Sequence, residues 1–309
     1  MPGIRDQIQD AMDEARTLVL GTQVLLGFQY QSVFEPRFAE LAFGEQLLSL
    51  FGLLLLLAAF CLLILPAAYH LIAKQGEDDD AQYALTANCV GLALAPFAAA
   101  FGIALYLAAA RTTGRMEAVG IGLVATGLAA SLWYGLGFRH ERPVRRHKSL
   151  SEKAAMADHS NEAIEKTPVH NKIRHVLTES RVVIPGAQAL LGFAGITTLM
   201  DGFDSLPEAA KYLHLGSLAA VALAVVLLMT PAAYHRLTGH NEESEDFFRL
   251  AGNFVVAAMA PLALALAGEL CVVVFKVTSS WPVAIGFGGV ALLVFAAMWY
   301  VFPLLRRKA

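Results

Sequence analysis

The chain has 309 residues, of which 57% are hydrophobic and only 16% charged, with a formal net charge of −3 and a mean hydropathy of +0.55. A soluble domain of this length carries roughly a quarter charged residues, so the composition argues for a polytopic membrane protein. No basic excess points to a nucleic-acid partner. The lipid bilayer is the one partner that composition requires.

The N-terminus, MPGIRDQIQDAMDEAR, has no basic segment followed by an apolar one, and no cleaved signal peptide is expected. Ile4, Ile8 and Met12 recur every four residues, which predicts a short amphipathic helix over 1–16 lying on the cytoplasmic surface. A first span over 17–34 is diluted by Gln23, Gln29 and Gln31. The second, over 47–73, is the strongest, since Leu47–Tyr69 contains no charge and about 18 such residues suffice to cross a bilayer. A third span follows over 83–109 and a fourth over 118–138. The segment 139–178 is charged and poor in apolar residues, which predicts a largely disordered cytoplasmic linker. It ends with Val169, Ile173 and Leu177, again every four residues, as a second amphipathic helix. Four more spans are expected over 182–200, 213–235, 247–275 and 282–305 within a last unit of 179–309. The fold class is therefore all-α, with eight transmembrane helices.

The second half repeats the first. Glu14 and Glu179, Arg16 and Arg181, Gly21 and Gly186, and Gln23 and Gln188 are each 165 residues apart (179 − 14 = 165). The same offset aligns Pro66-Ala67-Ala68-Tyr69-His70 with Pro231 to His235, Asn88 with Asn253, and Pro96 with Pro261. In the last helix it slips by one, aligning Trp133-Tyr134 with Trp299-Tyr300. Such self-similarity marks an internal duplication. Each unit, 17–138 and 179–309, has an even number of spans, so both enter the membrane the same way round, as parallel four-helix repeats. Basic residues after the fourth span (RHERPVRRHK) and at the C-terminus (RRKA) place the linker and both termini in the cytoplasm of a bacterial inner membrane.

On that topology Arg16, Gln23, Tyr69, His70 and Asn88 converge in the cytoplasmic half of the first repeat. Arg181, Gln188, Tyr234, His235 and Asn253 do so in the second. Polar groups in hydrocarbon should face the bundle interior, so each set is a candidate polar pocket. The plainer reading is structural: amides as helix–helix glue, arginines as anchors at the span ends, and histidines beside tyrosines in an interfacial belt. Pro66, Pro96, Pro231 and Pro261 free carbonyls that such a pocket could use. Glu14 facing His70 and Glu179 facing His235 are candidate pH-sensing pairs. Glu269 replaces Ala104 of the first copy, with Lys276 one heptad later. This is the spacing of an internal ion pair, although Lys276 more simply marks the end of the span.

Cys61, Cys89 and Cys271 sit unpaired in apolar runs, so neither a disulfide nor a metal site is expected. Haem is not expected either: of the span histidines, His70 and His235 lie near one face and His214 near the other, which leaves no paired axial ligands in one bundle. Glycine-loop, HExxH, CxxC and GxSxG motifs are missing, so no catalytic residue and no cofactor is assigned.

The pattern E-x-R…G-x-Q-x-L-L followed by P-x-A-Y-H-R resembles an uncharacterised family of small bacterial four-span membrane proteins. It reads Glu14, Arg16, Gly21, Gln23 and Pro66 to His70 here, and recurs as Glu179, Arg181, Gly186, Gln188 and Pro231 to Arg236. Copy one departs from it with Leu71 in place of the arginine. The resemblance implies a tandem fusion of two members and brings no activity. Two functional expectations follow. The first is a non-enzymatic membrane scaffold or regulator, with a membrane-protein partner or a second copy of itself. The second is a channel or transporter for a small ion or solute that uses the polar pockets.

Overall fold

The computed structural model describes the backbone of residues 4–75, 80–110, 113–131, 133–134, 169–237 and 245–307. Side chains at 4–17, 80, 169–182, 232–237 and 245–246 are not described. Every described element is helical. The long helices are α1 (Ile4–Ser32), α2 (Phe43–Ile72), α3 (Asp80–Ala109) and α4 (115–131), then α5 (Val169–Thr197), α7 (Glu208–Leu237), α8 (Glu245–Thr278) and α9 (Trp281–Ala296). A one-turn helix, α6 (Asp201–Asp204), lies between α5 and α7. After α9 the chain passes through a π-helical segment, Ala297–Val301, into α10 (Phe302–Arg306).

Five helices among the described residues are long and apolar enough to cross a membrane: Phe43–Ile72, Ala81–Ala109, Glu208–Pro231, Phe247–Thr278 and Trp281–Arg306. The other three expected spans fall short of these criteria over their described residues. The polar residues of α1 dilute its apolar content, the apolar part of α5 is confined to Val183–Thr197, and α4 is short as described. The expected break after residue 16 is also missing, because α1 is helical without interruption from Ile4 to Ser32. Neither glycine nor proline stands between Ile4 and Leu20 to stop it. The second copy likewise begins with one unbroken helix, α5. The 139–168 part of the expected linker lies outside the described residues.

Prolines interrupt α2, α3, α5, α7 and α8 (Pro66, Pro96, Pro185, Pro231 and Pro261) without ending them. Membrane helices tolerate this when neighbours satisfy the freed groups. Near the end of the chain, Pro303 removes the donor that the Trp299 carbonyl would use, and the backbone there widens into the π turn.

The two copies meet along α1 and α5. Gln23 abuts Gly186, Gly27 abuts Phe193, and the Phe34 carbonyl abuts Gly202. Contact positions rise together on both helices, so α1 and α5 run in the same direction. Phe28 and Phe193 occupy one repeat position, and their rings meet tilted at 49° with centroids 4.5 Å apart. At the level of Gln23 and Gly27 a glycine on one helix accepts a side chain from the other, which lets the backbones approach closely.

Several packing features recur in both copies. Tyr134 donates its hydroxyl hydrogen to the Gly91 carbonyl at 2.6 Å, and Tyr300 does the same to Val256 at 2.7 Å. Gly91 and Val256 are one repeat apart (256 − 91 = 165). The tryptophans beside those tyrosines behave differently. Trp299 is fully buried between the copies and donates from Nε1 to the Cys61 carbonyl of α2 at 3.1 Å. Trp133 packs on Phe97 of its own repeat and stays partly exposed. Consequently the π-helical segment and α10 of the second copy cover α2 of the first, whereas Val226, the counterpart of Cys61 on α7, is exposed. The apolar core centres on α2 and α8, the two most enclosed of the apolar helices.

Candidate functional site

Helix α1 ends at the far end of the bundle from the chain termini, and Tyr30 sits on its last turn, all but wholly buried. α7 begins at the same end and brings in His214, wholly buried. α8 approaches from the opposite direction and places Glu269 nine residues, roughly 14 Å, before its end. These three side chains meet where the copies join. Tyr30 Oη lies 2.9 Å from His214 Nδ1, and Glu269 Oε2 lies 3.1 Å from the same nitrogen. The remaining ring nitrogen, Nε2, donates to the Ala194 carbonyl of α5 at 3.0 Å. Phe203 stands edge-on to the imidazole at 5.2 Å and closes the site on the far side.

The hydrogen bonds constrain the protons. Since Nε2 faces a carbonyl it must carry hydrogen. With Nδ1 protonated as well, an imidazolium donates to the Glu269 carboxylate and the site is neutral overall. Loss of that proton lets Nδ1 accept from the Tyr30 hydroxyl, which also lies against Glu269. The site then carries one negative charge. The same three residues can therefore hold a proton or release it without moving far. The second carboxylate oxygen, Oε1, meets no hydrogen-bond partner. Below it, Leu26, Gly27, Tyr30, Leu190, Ala194 and Glu269 help to line a largely apolar cavity of about 40 Å³.

Glu269 and Lys276 do not form the internal ion pair that their spacing allows. Glu269 turns to His214, while Lys276 donates from Nζ to the Gly202 carbonyl at 2.8 Å and to Ser205 Oγ at 2.5 Å. The lysine thus ties down α6, the one-turn helix over the bundle's end, through one of its carbonyls and the hydroxyl that follows it.

Those residues of the expected polar pockets whose side chains are described are not brought together. Asn88, Gln188 and Asn253 are exposed on the outer faces of their helices. Gln23, Tyr69 and His70 are buried, but at different depths. The Gln29–Ser49 hydrogen bond (2.7 Å) fixes α1 against α2. On that register Gln23 lies opposite residue 55, roughly 22 Å along α2 from His70. The assignment of a common depth fails because α1 is one helix from residue 4 and does not enter the bundle at residue 16. Side chains of Glu14, Arg16, Glu179, Arg181, Tyr234 and His235 lie outside the described residues, and with them both candidate pH-sensing pairs.

At the terminal end, Gln82 supplies a contact that the sequence did not suggest. Its Nε2 donates to the Pro66 carbonyl at 3.1 Å, and Thr86 bonds back to the Gln82 carbonyl at 2.8 Å. Leu71, where the repeat pattern has arginine, packs into an apolar cluster of the second copy with Phe247 and Phe248. An arginine there would bury its charge among aromatic rings. Among the described residues no group of three or more His, Cys, Asp and Glu side chains could hold a metal ion.

Tyr30 and Glu269 with His214 escaped a search for polar residues shared by both copies, because each is private to one. Their counterparts are Gly195, Ala104 and Ser49, all 165 residues away. Glu269 already stands out as a difference between the copies, and Tyr30 and His214 are differences of the same kind.

An all-helical chain with helices suited to a bilayer, two repeated halves and an ionisable cluster closed between them is a helical membrane protein. It belongs to a family of unknown function (DUF6328), whose model matches it twice, over residues 5–137 and 165–303. No curated protein and no solved structure matches it.

Proposed function

We propose that this protein is a proton-linked transport protein of the bacterial inner membrane, built as eight spans in two parallel four-helix repeats with termini and linker in the cytoplasm. The exchanged proton resides on the Tyr30–His214–Glu269 cluster. One observation carries this reading: a fully buried imidazole and a carboxylate with 12% of its side chain exposed lie 3.1 Å apart beside a cavity where the repeats join. Ionisable groups at such depth are costly, and they mark ion and proton pathways in membrane helices. A helix-packing role alone is met by uncharged contacts, as Gln29 and Ser49 do at the matched place in the first repeat. A scaffold or regulator, with the linker over 139–178 as its contact surface, is the first expectation from sequence, and transport the alternative to it.

Purified protein in liposomes containing a pH-sensitive dye, given an imposed pH gradient, tests the proposal. Proton flux should fall at least tenfold in Glu269→Gln and in His214→Gln, and stay unchanged in Asn88→Leu. Parent protein without flux, or Glu269→Gln with parental flux, would discard transport in favour of the scaffold.

A further inference from the structure

We propose that the α1–α5 seam carries a short file of water from the Glu269 carboxylate to the Gln23 amide, and that Gln23 is the positioning residue through which the cluster exchanges protons with the terminal side. This deepens the transport reading and rests on it.

Four observations converge. Gln23 is wholly buried, and neither its Oε1 nor its Nε2 has a hydrogen-bond partner. An amide left so in a protein interior is in want of a polar occupant. Glu269 Oε1, two turns further along the seam, is likewise buried and unpartnered. Gln23, Leu26, Gly27 and Tyr30 fall at i, i+3, i+4 and i+7, one face of α1, and the last three line the cavity. Its volume of about 40 Å³ has room for two or three waters at about 10–15 Å³ each. The walls between are mostly apolar, so the polar partners such waters need are Glu269 and Tyr30 at one end and Gln23 one turn beyond the other. Finally, Gly186 of α5 leaves a notch for the amide, since a Cβ there would overlap Gln23 Oε1.

The chemistry is plain proton transfer. A proton arriving as hydronium bonds to the first water, which passes one of its own protons to the next, until the last water protonates Glu269 Oε1. Nothing is oxidised or reduced. The amide keeps its own protons; accepting through Oε1 and donating through Nε2, it orients the water at its end of the file. Gln188, its counterpart on α5, is exposed and has no such part.

The test uses the full chain in liposomes, with proton flux read by dye and the Glu269 carboxyl band followed by infrared spectroscopy after transfer to D₂O. Gln23→Leu should slow both flux and carboxyl deuteration at least tenfold while the carboxyl still titrates at equilibrium. Gln23→Asn should restore both to within threefold of the parent, and Gln188→Leu should match the parent. Parental flux and deuteration in Gln23→Leu, with flux abolished in Glu269→Gln, would overturn the water file and leave the cluster as the site. Parental flux in Glu269→Gln would overturn the transport reading itself. The parent protein alone also decides the matter if Gln23→Leu fails to fold: a Glu269 carboxyl that takes hours to deuterate would exclude a water file.

Discussion

The two repeats descend from one sequence, yet among the described residues they bury different polar side chains at each end. In the first repeat the enclosed polar groups at the terminal end are His70, Gln82 and Thr86, each without exposure. The second repeat places Phe247 and Ala251 where the first has Gln82 and Thr86, and both are packed in an apolar cluster. At the far end the relation reverses. His214, Ser217 and Glu269 of the second repeat stand where the first has Ser49, Gly52 and Ala104. Tyr30 then crosses from the first repeat to complete the second repeat's cluster, because the second repeat has Gly195 at that place. A single four-helix unit of either kind lacks part of the far-end cluster.

The comparison can be broken at four places. The tryptophans should show the largest difference. Trp299→Ala removes a ring buried between the repeats and should destabilise the protein by about 3–5 kcal/mol. Trp133→Ala, at the matched but partly exposed place, should cost less than about 1 kcal/mol. Denaturant unfolding in detergent micelles measures both, and equal costs would mean that the fourth helices of the two repeats are equivalently packed.

Next in size, Glu269→Ala strips His214 of its counter-ion and should cost about 3 kcal/mol. Adding His214→Ser gives the second repeat the residue pair of the first. It should recover most of that loss, since the charged partners depart together, while proton flux stays abolished. Costs that simply add in the double variant would mean the two side chains do not interact.

A third contact has been exchanged between the copies. Gly52 faces Ile103 in the first repeat, with 3.3 Å between a hypothetical Cβ and Ile103 Cγ2, while Ser217 faces Gly268 in the second. Gly268→Ala would press its methyl into Ser217 Oγ and should cost about 1–3 kcal/mol. Ser217→Gly should relieve it. A thermal scan of the single and paired variants decides, and a Gly268→Ala that melts like the parent would refute the packing. Smallest of all, Asn88→Leu and Gln188→Leu sit on outward faces and should leave stability within about 0.5 kcal/mol. A larger fall in melting temperature for either would restore the interior placement first expected from sequence.

How legible the molecule was varies with the kind of signal. The duplication, the helical class and the membrane habit were all readable, because each is written in spacing or hydrophobic content along the chain. The common depth of Gln23 and His70 was misread. Span starts were taken from hydropathy, while α1 continues as one helix through Arg16 and shifts every depth counted from there. Asn88 and Asn253 were expected inside because amides avoid hydrocarbon, yet the faces that carry them are not the faces used for packing. Glu269 was visible as an intramembrane acid, but Lys276 at heptad spacing was the only partner that a linear view offered.

Sequence by itself determined the local facts: which segments coil into helices, which are apolar enough for a bilayer, and that one half copies the other. Helix formation and membrane affinity depend on neighbours within a turn or two and on summed hydrophobicity. Tertiary structure alone decided that Tyr30, His214 and Glu269 share one site, that Trp299 is buried while Trp133 is not, and that Gln23 faces Gly186. Those outcomes depend on which helices lie side by side and in what register. That choice arises from packing across as many as 238 residues of chain separation, as in the Trp299–Cys61 bond, where no local pattern carries information.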